Sequence, residues 1–106
     1  MELAKKIKLI SSAGQTKLIC TAPSGKQIFI DNIKVSGGEN GGNVTFSDGT
    51  DLTDPNTFKL EFTVDAHDSF ICDELTALPS GESYYFTCDT DGVAIYASAL
   101  EYDVEG

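Results

Sequence analysis

His67 is the chain's single histidine, and it stands in the run Asp65-Ala66-His67-Asp68-Ser69, two residues before a serine. Covalent catalysis requires a base beside a nucleophile, usually oriented by a third group. His67 with Ser69, or with a cysteine, has the residue types for it. The spacing matches no recognised hydrolase motif, and a polar loop between strands accounts for the same residues. The reading taken is that no residue is catalytic and that the protein is not an enzyme.

Carboxylates offer metal chemistry. Asp48, Asp51 and Asp54 are spaced three apart, and Asp89 and Asp91 two apart. An EF-hand calcium loop needs alternate acidic ligands, glycine at its sixth position and a bidentate glutamate at its twelfth. Counted from Asp48, the second position is Gly49 and the twelfth is Lys59, so that motif fails. Solvated turns are the reading taken, with an irregular calcium loop as the alternative, and no metal ligand is assigned. Gly25-Lys26 has the ending of a phosphate-binding loop, but Cys20 stands where the first glycine belongs and Gln27 where serine or threonine belongs. The glycine-rich stretch 37–42 lies between strands, with no helix N-terminus to hold phosphate. It reads as a flexible hairpin connection, and no cofactor is expected.

Three cysteines, Cys20, Cys72 and Cys88, are an odd number with no CxxC pair. Secreted disulfide frameworks show even counts behind a signal peptide. The opening Met1-Glu2-Leu3-Ala4-Lys5-Lys6 has no apolar stretch behind its lysines, so no signal peptide is expected. Buried reduced thiols in a reducing cytosol are the expectation, and the sequon Asn43-Val44-Thr45 is read as chance.

Charge is the remaining chemistry. Seventeen acids against seven lysines, with no arginine, give a net −10. Nucleic-acid sites lean on arginine and a basic face, and anionic membranes repel such a chain. Neither partner is expected. Residues 1–35 hold six lysines against two acids, whereas residues 36–106 hold Lys59 against fifteen acids. One explanation is a solvated acidic surface with lysines on an edge strand. The other is a basic N-terminal segment reaching a neighbouring acidic surface, with Lys5, Lys6 and Lys8 as its partner-binding residues. Tyr85, opposite in parity to Tyr84 and Phe86, is expected to point away from the core or into an interface.

The elements that must position these groups are strands. Phe58, Leu60, Phe62 and Val64 alternate strictly with Lys59, Glu61 and Thr63, as in a sheet with one dry face. Further strands fit 17–21, 27–35, 43–47, 69–72, 83–88 and 93–104. Residues 2–10 fit either a helix or a strand. Within 27–35, Ile28 and Ile30 share one parity and Ile33 and Val35 the other, which calls for a bulge at Asp31-Asn32. Turn signals fall between the runs, among them Pro23-Ser24-Gly25, Asp54-Pro55-Asn56, Pro79-Ser80-Gly81 and Asp91-Gly92. At 106 residues and 11.3 kDa the chain makes one domain. Residues 1–15 are set apart as a candidate arm. Seven to eight short strands describe an all-β antiparallel sandwich or a small barrel.

The segment 21–36, Thr-Ala-Pro-Ser-Gly-Lys-Gln followed by the long run from Ile28 to Ser36, resembles a recurrent opening of small bacteriophage structural proteins. Leu78-Pro79-Ser80-Gly81-Glu82-Ser83, leading to a long C-terminal strand, is similar to the closing half of that pattern. The resemblance covers about residues 16–104. It implies a jelly-roll-like capsid decoration (cement) protein, commonly a homotrimer on the major capsid protein of the virion shell, made in the host cytoplasm and carrying no catalytic residues. A carbohydrate- or receptor-binding β-sandwich is the alternative. The lack of tryptophan counts against an aromatic sugar platform, although Tyr84, Tyr85, Tyr96 and Tyr102 could supply a face.

Overall fold

Alternation of apolar and polar residues with turn signals between the runs dictates strands, and the computed structural model, which describes residues 3–73 and 77–104, contains no helix among them. Nine strands follow one another: β1 (Leu3–Ile10), β2 (Thr16–Thr21), β3 (Lys26–Ser36), β4 (Gly42–Ser47), β5 (Lys59–Val64), β6 (Ser69–Cys72), β7 (Ala77–Leu78), β8 (Ser83–Cys88) and β9 (Ala94–Asp103). The segment that fitted helix or strand is β1. The ninth strand is β7, whose two residues carry no pattern that a sequence reading could detect.

Every pairing is antiparallel, and the strands form two sheets. One runs β1-β9-β3-β6, with β7 also on β3; the other runs β2-β8-β4-β5. Among chain neighbours, only β4 and β5 form a hairpin. Most other connections cross from one sheet to the other, which is the jelly-roll arrangement of a sandwich. The glycine stretch 37–42 therefore makes a crossing, not a hairpin. It is also not loose: Gly37 and Gly41 are buried, and a Cβ on Gly37 would lie 2.1 Å from the Asp65 carbonyl oxygen. Glycine is there because another backbone passes too close for a side chain.

The bulge falls where the phase break requires it. The β3–β9 register shifts between Ile30 and Asn32, so Asp31 and Asn32 both face solvent while Ile28, Ile30, Ile33 and Val35 are all buried. Facing them from the second sheet, Phe46 and Phe86 are fully buried with ring centroids 6.0 Å apart. Burial of each such side chain contributes roughly 1.5–3 kcal/mol. β5 is drier on paper than in space. Leu60 and Phe62 are half-buried and Phe58, just before the strand, is exposed, because β5 is the sheet's edge.

The two Pro-Ser-Gly turns meet. In each, the residue after glycine donates its N–H to the proline carbonyl: Lys26 to Pro23 at 2.9 Å and Glu82 to Pro79 at 3.1 Å. Gly25 and Gly81 take φ of 77° and 84°, the positive values a type II turn needs at its third position. Ser80 Oγ then ties the pair together, accepting from Gly25 N–H at 2.9 Å and donating to Pro23 O at 3.1 Å.

Candidate functional site

Strand alternation sorts the N-terminal lysines. Lys5 lies opposite buried Ala99 and shares its inward side, whereas Lys6 and Lys8 lie opposite exposed Ser98 and Tyr96 and point outward. Lys5 Nζ reaches the Glu101 carboxylate at 2.7 Å, and Glu101 is buried. Lys5 is therefore committed to holding an internal acid. Lys8 sits over the Tyr96 ring, 5.6 Å from its centroid, at the distance of a cation–π contact. Lys6 has no ion pair among the described residues.

The register carries this outward face across the whole sheet. Lys8, Tyr96, Lys34 and Ile71 form one row, since Tyr96 pairs with both Lys8 and Lys34 and Lys34 with Ile71. Two residues along, Lys6 and Ser98 lead to Asn32, and beyond them Leu100 pairs with Phe29. Ile71 is 64% exposed, Phe29 43% and Tyr96 41%, so large apolar surface lies open to water between three lysines. Phe29 and Tyr102 meet edge to face at 5.3 Å. A shallow groove of about 430 Å³ runs along Lys6, Phe29, Asp31, Ser98 and Leu100, and a second of about 410 Å³ adjoins it at Lys6, Lys8, Asn32 and Tyr96.

Sequence reasoning missed Lys34, Phe29, Ile71 and Tyr96 in this role. One signal was available: nine of the twelve residues 93–104 are apolar, the first five without a break, and a strand apolar on both faces is one that expects cover on both. The other residues depend on long-range register, which no local pattern encodes.

Tyr85 lies on the opposite side of the molecule, on the outward face of the second sheet, half-buried beside Leu18 and Ser47. Hydroxyls dominate that face, with Thr16 and Thr87 3.0 Å apart and Thr21 and Ser83 2.7 Å apart. The structure does not bring Tyr85 together with the lysines.

Each candidate aspartate accepts a backbone N–H: Asp48 from Phe58 at 2.8 Å, Asp51 from Thr53 at 3.0 Å, Asp54 from Asn56 at 2.9 Å, Asp89 from Asn43 at 2.8 Å and Asp91 from Ala13 at 2.7 Å. These carboxylates shape turns. Hydrogen bonds from Thr53 hold the Asp51 carboxyl below the usual range, and bonds from Asn43 do the same for Asp89. No group of three potential ligands gathers among the described residues. His67 is exposed, with its N–H on the Gly38 carbonyl at 2.7 Å and an unusual positive φ of 62°; Ser69 is exposed on β6.

All three cysteines are free thiols, Cys72 and Cys88 buried and Cys20 half-buried. Burial pushes the Cys20 thiol up to about 11, against the opposing pull of Lys5.

No family model matches the sequence, and no curated protein matches it. Solved structures do match by fold. A protein of the disulfide-linked pili that form Bacillus endospore appendages superposes with a TM-score of 0.60 at 9% identity, over 99% of this chain and 88% of that one. The extra small virus particle of the giant freshwater prawn Macrobrachium rosenbergii gives 0.47 at 10% identity, over 100% of this chain and 80% of that one. CapF gives 0.31 at 14% identity, over 91% of this chain and 29% of that one. At these identities the likeness to the pilus protein is one of fold.

Proposed function

We propose that this chain is a structural subunit of a multi-copy particle, and specifically a capsid decoration protein that binds the outer shell of a virion as a homotrimer and stabilises it. The observation that carries this reading is the outward face of the β1-β9-β3-β6 sheet, where Phe29, Ile71 and Tyr96 stand exposed among Lys6, Lys8 and Lys34. Large apolar side chains left open to water on one sheet face, interleaved with like charges, support an interaction surface. The scaffold suits the role, since a jelly roll supplies a rigid body with two broad faces, one for like subunits and one for the shell. Free thiols accord with synthesis in the host cytoplasm. The protein of the same fold belongs to the disulfide-linked pili of an endospore appendage, which supports a structural role for this architecture.

Light scattering at low micromolar concentration tests the reading. Three chains of 11.3 kDa give a particle of about 34 kDa. That mass supports a trimeric decoration protein. A monomer at every concentration overturns the trimer and promotes the carbohydrate-binding alternative, which a glycan array with Tyr85→Ala as control then decides.

A further inference from the structure

The lysine-bearing sheet face and the end of the sandwich nearest to it carry opposite charge. Four loops gather at that end, 11–15, 37–41, 65–68 and 89–93, joined by backbone bonds such as Ser11 N–H to Val93 O and His67 N–H to Gly38 O. They hold Glu39, Asp65, Asp68, Asp89 and Asp91 and no lysine. The sheet face holds Lys6, Lys8 and Lys34 against Asp31 at the bulge and exposed Asp73 directly after β6. We propose that this face docks on the acidic loop end of a second copy of the chain, head to tail; the inference rests on the multi-copy reading above and assigns its contact.

Charge decides the geometry. A twofold contact placing the two sheet faces together would set Lys6, Lys8 and Lys34 of each copy against those of the other. Like charges brought together at a contact cost several kcal/mol. An acidic surface is the complement required, and the chain itself presents one at this loop end; the opposite end, with Asp48, Asp51, Asp54 and Glu82, is acidic too, and the variants below distinguish the two. The contact then joins two different patches, so it repeats from copy to copy and either closes into a ring or continues as a filament. The apolar residues supply the driving force, because Ile71, Phe29 and Tyr96 are exposed in the single chain and leave water only when covered. The acids are firmly placed: the Asp89 and Asp91 carboxylates are tied to backbone amides, which fixes where the negative charge stands.

Two charge-reversed variants test the pairing. Lys6→Glu with Lys34→Glu makes the sheet face acidic; Glu39→Lys with Asp65→Lys makes the loop end basic. All four side chains are exposed and none has a side-chain hydrogen bond or ion pair among the described residues, so unchanged circular dichroism and melting should certify each fold. The expected result is that wild type assembles, each variant alone associates more than about tenfold more weakly, and an equimolar mixture regains assembly. If both variants assemble like wild type, or if their mixture stays monomeric, the proposed contact is wrong while the multi-copy reading survives. If wild type is monomeric throughout, this self-contact is also overturned, and decoration of a shell by monomers remains to be read from shell binding.

Discussion

Glu101 is an acid in the interior of the first sheet, and Lys5, on the edge strand, is the cation that makes it tolerable. A buried carboxylate stripped of its partner keeps its desolvation cost. Lys5→Ala should therefore lower stability by about 1–3 kcal/mol in urea unfolding, whereas Lys6→Ala, one residue along, should leave it within about 0.5 kcal/mol. Cys20 gives a pH signature. Burial pushes its folded thiol up to about 11, above the ordinary 9.0, so the unfolded chain loses its proton first as pH rises. Stability is then full below pH 9 and falls between 9 and 11. Cys20→Ala should flatten that alkaline loss, and wild type should resist alkylation at neutral pH because its thiolate is scarce. Ser11 is buried, donating to Thr90 O at 2.6 Å and accepting from Val93 N–H at 2.9 Å. Its replacement by alanine orphans a buried donor and should cost about 1–3 kcal/mol in the same unfolding measurement.

At the scale of elements, β3 shows how far a sequence can be read. Four isoleucines and valines of broken parity were enough to locate the bulge, because only one extra residue can return them all to the core side. Deleting Asp31 removes that residue and turns Ile33 and Val35 outward, or Ile28 and Ile30 if the other half slips. The variant should fail to give a cooperative thermal transition. β5 was legible as a strand but not as an edge, since alternation reports that a face is apolar and not what lies beside it. The candidate surface was legible only in part. Parity alone separates Lys5 from Lys6 and Lys8, yet nothing local places Lys34 and Ile71 in one row with Lys8. That row exists because β9 bridges β1 and β3, strands separated by two crossings in the chain. The glycine stretch misled for a related reason: its composition describes a mobile loop, and the Asp65 backbone that pins it is more than twenty residues away.

For the whole molecule, a net charge of −10 sets monomer and assembly against each other. Added salt screens self-repulsion, so the melting temperature of the single chain should rise from low to physiological ionic strength. The same salt should weaken association if lysines meet acids between copies, and light scattering on one salt series separates the two responses. The placement of β9 has a further consequence, for the order in which the structure can form. β9 lies between β1 and β3, with pairings as distant as Leu3 to Glu101, so a ribosome releases both neighbours long before the strand that joins them. Neither can complete its sheet until that strand has emerged. Folding must wait for nearly the whole domain and should proceed on the millisecond-to-second scale of non-local β topologies, and a chain stalled before residue 94 should remain open to proteases over its full length.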